Sequence, residues 1–75
     1  MNRDTLKGQW TQLKGKIRQQ WGKLTDDEID QVQGSAEQLI GRIQERYGRS
    51  REQAEQEVDR WLGSQGADEP HRRAS

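Results

Sequence analysis

The chain has 75 residues, of which 27% are hydrophobic and 35% charged, with no cysteine and a formal net charge of zero. A chain of this length holds one domain and leaves no room for a deep catalytic cavity, and without cysteine there is no disulfide framework and no thiolate site. The longest apolar runs, Leu39-Ile40 and Trp61-Leu62, are two residues long, so neither a signal-peptide core nor a membrane span is expected and the cytoplasm is the expected location. A mean hydropathy of -1.42 borders on the composition of disordered chains. Whether the chain folds is therefore decided by periodicity.

Residues 4–21 read as one helix. Leu6, Trp10, Leu13, Ile17 and Trp21 recur at steps of 4, 3, 4 and 4, a single apolar stripe at the helical period. Gly22 follows as a stop, because glycine takes the left-handed conformation cheaply. Thr25 is then an N-cap with Glu28 as its capping-box partner, and Leu24 and Ile29 occupy the two positions of a hydrophobic staple. Asp26 and Asp27 place negative charge at the positive end of the helix dipole. This short helix turns Ile29 and Val32 inward and ends at Gly34. Ser35 and Gln38 repeat the cap spacing before a third stripe of Ala36, Leu39, Ile40, Ile43 and Tyr47, closed by Gly48. Ser50 and Gln53 form a further capping pair, and Ala54, Val58, Trp61 and Leu62 make the fourth stripe. Residues 63–75, rich in Gly, Ser, Asp and Glu with Pro70 and Arg72-Arg73, carry no periodicity and read as a mobile tail behind a helical domain at 1–62.

The two halves of that domain repeat at a shift of 26 residues: Gly8 aligns with Gly34, Leu13 with Leu39, Gly15 with Gly41, Ile17 with Ile43, and Trp21-Gly22-Lys23 with Tyr47-Gly48-Arg49. Each unit is a longer helix, a glycine stop, a cap and a shorter helix. Neither hairpin buries its stripe alone, so the two are expected to pack together as an all-α bundle of four short helices with pseudo-two-fold symmetry.

Gly8-x-Trp10, Gly15-Lys16, Trp21-Gly22-Lys23-Leu24-Thr25-Asp26-Asp27, Gly34, Leu39-x-Gly41, Gln44-x-x-Tyr47-Gly48 and Ala54 resemble the CsbD-like family of small bacterial proteins over residues 2–62. The resemblance implies two helical hairpins packed crosswise, as in SAM domains, and a role in the bacterial general stress response. It supplies no reaction and no catalytic residue.

Enzymatic constellations are nearly absent. His71 is the only histidine and lies in the tail, without a set of partner ligands. Serines 35, 50, 64 and 75 fall at caps or in the tail with no base beside them. Glu52, Glu55 and Asp59 share a helix surface, where like charges are ordinarily solvated. The glycines do not form a phosphate loop. No catalytic, cofactor or metal site is expected. Trp10, Trp21 and Trp61 lie on apolar stripes and read first as core, with base or lipid stacking as the alternative.

Charge is unevenly distributed, with a net of +5 over residues 1–24 and -5 over residues 25–75. On a continuous helix Arg3, Lys7, Lys14 and Arg18 fall within about 60° of one another. This ridge is the candidate anion-binding site, suited to nucleic-acid or anionic membrane phosphates. The alternative is internal compensation, with the ridge lying against the acids at 26–30 or 52–59. Gly8, Gly15 and Gly41 lie off the apolar stripes, and each costs its helix about 1 kcal/mol relative to alanine. They are either a smooth surface for a partner or a tolerated looseness. Two functions follow: a non-enzymatic, monomeric stress-response protein acting by solvation and weak contacts, or a small module binding phosphates through its basic first helix.

Overall fold

The computed structural model describes the backbone of residues 2–71 and the side chains of residues 2–65. Five α-helices fill this stretch in chain order: α1 (Arg3–Gly8), α2 (Trp10–Gln20), α3 (Asp26–Val32), α4 (Ala36–Tyr47) and α5 (Arg51–His71). The described residues are all-α, as the periodicity predicts, but the helices number five rather than four.

The extra helix comes from a break in the first. Where the stripe predicts one helix over 4–21, Gln9 leaves helical geometry with φ -111° and ψ 19°. Gly8 stands immediately before it, where the helix has least to lose by yielding. Gln9 N–H still donates to Thr5 O at 3.0 Å, and Leu13 N–H donates to Gln9 O at 3.0 Å, so the break is a kink rather than an interruption. The kink lets α1 pack on α5 as well as α2 while Leu6 becomes fully buried. Burial of one leucine, about 2 kcal/mol, outweighs the cost of distorting the helix at a glycine.

The other end of that helix also departs from expectation. Helix α2 stops at Gln20, and Trp21 is the C-cap with φ -122° and ψ 75°. Gly22 is not left-handed; Gly34 and Gly48 are the described glycines with positive φ. At this end the indole of Trp21, 2% exposed, packs edge-on against Trp61 with ring centroids 5.4 Å apart and an interplanar angle of 62°. Such aromatic pairs add about 0.5–1.5 kcal/mol beyond the area they bury.

Helix α5 differs at its far end. It does not stop at Gly63 but continues to His71. Ser64 Oγ donates back to Trp61 O at 3.0 Å, bridging the turn around Gly63. The expectation for residues 72–75 lies outside the described residues.

The caps follow the sequence closely. Thr25 N–H donates to Glu28 Oε1 at 3.0 Å and Glu28 N–H donates to Thr25 Oγ1 at 3.1 Å, a complete capping box. Ser35 Oγ accepts from Gln38 N–H at 3.3 Å. Ser50 and Gln53 exchange both bonds at 3.1 Å. A further box at Asn2 and Thr5 opens α1, with Asn2 Oδ1 accepting from Thr5 N–H at 3.1 Å and Thr5 Oγ1 accepting from Asn2 N–H at 2.9 Å. The core contains every large apolar side chain of the four stripes and the staple except Trp10 and Tyr47, which pack against it half-buried. Helices α2 to α5 pack in sequence, and α1 closes the bundle onto α5.

Repeat-related glycines do different work. Gly34 has φ +82°, and a Cβ there would stand 2.6 Å from Lys7 Cα, so the α3–α4 turn passes directly against the backbone of α1. Gly48 is also left-handed, at φ +65°, but its added Cβ would meet nothing within 4 Å, and the same open space surrounds Gly8, Gly15 and Gly41. Three substitutions separate these cases in urea unfolding. Gly34→Ala should destabilise by about 3 kcal/mol, combining a left-handed alanine with a backbone collision. Gly48→Ala should cost only the backbone share, about 1 kcal/mol. Gly15→Ala should stabilise by about 1 kcal/mol. Equal losses at Gly34 and Gly48 would contradict the close approach to Lys7.

Candidate functional site

The kink at Gln9 divides the basic ridge into two pairs. Arg3 and Lys7 border one shallow cleft together with Asp4 and Glu37. Lys14 and Arg18 border another beside Gly15, closed opposite by Asp26 and Asp30. Three of the four bases meet carboxylates. Arg3 donates to Asp59 in a two-pronged bond, Nε to Oδ1 at 2.8 Å and Nη2 to Oδ2 at 3.0 Å, and this bond raises its already high pKa. Lys14 Nζ lies 2.8 Å from Asp30 Oδ1, and Arg18 pairs with Asp26. Lys7 makes no ion pair among the described residues. The basic N-terminal third thus lies against acids of α3 and α5, the arrangement that internal compensation requires. These pairs are substantially exposed and each contributes at most about 1 kcal/mol.

A more deeply set cluster joins α3 to α4. Glu28 is the buried charged side chain of the described core, at 8% exposure. Its Oε1 accepts from Thr25 N–H at 3.0 Å and from Arg46 Nε at 3.1 Å, and its Oε2 accepts from Arg46 Nε at 2.8 Å and from Arg46 Nη2. Arg42 Nη1 lies 3.9 Å from Glu28 Oε2, while Arg42 Nη2 donates to Gln31 Oε1. The Arg46 hydrogen bonds, and after them the Thr25 N–H, hold the Glu28 carboxyl down at a pKa of about 2. A charge-assisted fork of this kind fixes orientation as well as energy. One side chain therefore both caps α3 and anchors α4.

A third cluster surrounds Glu57. Trp21 Nε1 donates to Glu57 Oε1 at 3.1 Å, and Arg49 Nε donates to Glu57 Oε2. Burial works to raise the Glu57 pKa, but the Trp21 and Arg49 hydrogen bonds outweigh it and the carboxyl falls below its usual range. Lys23 N–H donates to the Tyr47 hydroxyl at 3.1 Å. Lys23 Nζ and Arg49 Cζ stand 5.1 and 5.5 Å from the centre of the Tyr47 ring, within cation–π range. Lys23 and Arg49 are repeat-related, so the two halves of the sequence converge on one tyrosine.

Other sequence candidates resolve individually. Trp21 and Trp61 are buried and Trp10 is half-buried, which places all three indoles in or against the core. On the acidic face of α5, Glu55 pairs with Arg51 at 2.8 Å and Asp59 with Arg3. Ser35 and Ser50 are caps, Ser64 is bonded within α5, and Ser75 lies outside the described residues. His71 ends α5, and its side chain also lies outside them. No described group of three or more His, Asp or Glu side chains converges as a metal site would. Among the described residues no helix is long and apolar enough to cross a membrane.

The model of the family described as CsbD-like matches residues 4–56. The chain belongs to the CsbD-like family. It is 56% identical over 61 residues to the UPF0337 protein YjbJ of Escherichia coli O6:H1, covering 81% of this chain and 88% of that protein. It is 59% identical over 58 residues to a UPF0337 protein of Pseudomonas aeruginosa, covering 77% and 89%. With a UPF0337 protein of Agrobacterium fabrum it shares 50% over 66 residues, covering 88% and 98%. No solved structure matches significantly. The CsbD-like match runs from α1 into α5 and takes in both Glu28 and Arg46.

The Glu28 cluster gives a pH signature. Its pKa is lowered in the folded chain, so its contribution to stability is full above pH 4.5 and is lost as pH falls towards about 2. Urea midpoints measured from pH 7 to pH 2 should fall through this window. Glu28→Gln should lower stability at pH 7 and flatten the acid dependence, since the variant has no carboxylate there to protonate. An unchanged slope would show that Glu28 is not the titrating group.

Proposed function

We propose that this CsbD-like chain is a non-enzymatic cytoplasmic stress-response protein. It acts as a monomer, through hydration and weak, transient contacts. The observation that carries this reading is the division of its side chains. The described large hydrophobics are buried or half-buried, and none is exposed. What faces water is charge, amide and glycine, with many of the charges held in ion pairs across helices. Such a surface keeps its water and offers little apolar area for stable association.

The finer architecture belongs to the same proposal. The unit α1 to α3 and the unit α4 to α5 cross as two hairpins of a SAM-like bundle. The edge-on contact of Trp21 with Trp61, one from each unit, supports this.

The function is tested on a labile enzyme dried or frozen with this protein or with an equal mass of an inert globular control. Greater retained activity with this chain is the expected result, and equal retention removes the mechanism. Lys7, which has no ion-pair partner among the described residues, favours a second reading, a phosphate-binding module using Arg3, Lys7, Lys14 and Arg18. On that reading DNA, RNA or anionic vesicles bind at low salt and release steeply as salt rises. Reversing the charges of Lys7, Lys14 and Arg18 abolishes the binding. No binding at low ionic strength eliminates it.

A further inference from the structure

A cleft of about 480 Å³ runs between the end of α2 and the outer face of α5, lined by Gln20, Arg49, Glu57, Arg60, Trp61 and Ser64. It is open to solvent and equal in volume to the shallow cleft at Arg3 and Lys7, so its chemistry rather than its size sets it apart. Trp61 forms one wall at 8% exposure. The indole N–H of Trp21 is satisfied by Glu57, but that of Trp61 has no acceptor among the described residues. Beside an open cleft, an indole N–H without a protein acceptor is left to water or to a ligand.

The groups around this donor are hydrogen-bond donors in excess. Arg60 is exposed and makes no ion pair among the described residues. Arg49 commits its Nε to Glu57, leaving its terminal nitrogens for a ligand. Gln20 adds an amide. Glu57, the acid of the cleft, is already occupied by Trp21 and Arg49. Guanidinium groups favour oxyanions that accept two parallel bonds. The indole wall supplies an apolar surface for an organic body beside the anion.

We propose that this cleft binds a phosphate monoester of small-molecule size, its phosphate held by Arg60, Arg49 and the Trp61 N–H and its organic body lying against the indole. The site goes beyond the hydration role and uses none of the ridge residues.

The test is an NMR titration of the full ¹⁵N-labelled chain. The Trp61 indole N–H signal is assigned by its loss in Trp61→Phe. Glycerol 3-phosphate and adenosine monophosphate are added in turn, then inorganic phosphate, with sodium chloride at matched ionic strength as control. A saturable shift of the Trp61 indole with the monoesters, with the Trp10 indole unmoved, is expected. Arg60→Gln, a change at an exposed position that leaves the fold intact, should weaken the affinity about tenfold, the scale of one charge-assisted hydrogen bond. Charge reversal at Lys7 and Lys14 should leave it unchanged. A shift that does not saturate, that chloride reproduces, or that survives Arg60→Gln unaltered would overturn the site. Inorganic phosphate binding as tightly as the esters would overturn the assignment of an organic body.

Discussion

The buried carboxylate of Glu28 is the joint on which the bundle turns. It belongs to the first repeat unit and accepts the guanidinium of Arg46 from the second, while still closing the cap that starts α3. Each role depends on the other. The cap fixes the rotamer that presents Oε2 to Arg46, and Arg46 keeps the carboxyl ionised so that it goes on accepting from Thr25 N–H. Removing Arg46 leaves the Glu28 carboxylate with lost bonds and little water to replace them, whereas Arg46, half-exposed, rehydrates when Glu28 is removed. Around this joint the aliphatic stripes are interchangeable hydrophobic area, whereas the fork is directional and sets how α3 meets α4.

The rest of the bundle is closed by contacts of the same kind, one partner from each half. Trp21 and Trp61 meet edge-on in the core, and Arg3 reaches Asp59 across 56 residues of chain. With so few large apolar side chains, hydrophobic burial alone does not distinguish one helix arrangement from another. Directional polar contacts between the units supply that specificity. Open space at Gly15 and Gly41 indicates that these glycines are not required by internal packing, so the helices carry less stability than their length permits.

Local chemistry was legible from the sequence, and tertiary geometry was not. The apolar stripes identified the core, because the helical period alone decides which side chains share a face. The capping boxes at Thr25 and Ser50 were legible because cap and partner are three residues apart. The Asn2–Thr5 box has the same spacing but uses Thr in place of Glu or Gln. The kink at Gln9 was missed because the hydrophobic stripe runs straight across it, and Gly8 was the one local sign. The Trp21–Trp61 contact joins residues far apart in the chain, which no local pattern marks. The ridge of four bases assumed an unbroken helix, and the kink splits it into two clefts. Of the pair Glu28–Arg46, the sequence marked Glu28 as a cap residue and gave no sign of Arg46. The cleft at Trp61 likewise needs the end of α2 brought near α5.

Surface charge and packing specificity meet in this fold. Its charges solvate the surface and, at Glu28, order the interior. A double-mutant cycle on Glu28→Gln and Arg46→Gln in urea at neutral pH tests that central claim most directly. The predicted result is strong non-additivity, with the double variant losing far less than the two single losses together, because either change alone dismantles the fork. Losses that simply add would show that the two side chains act independently and that the joint lies elsewhere.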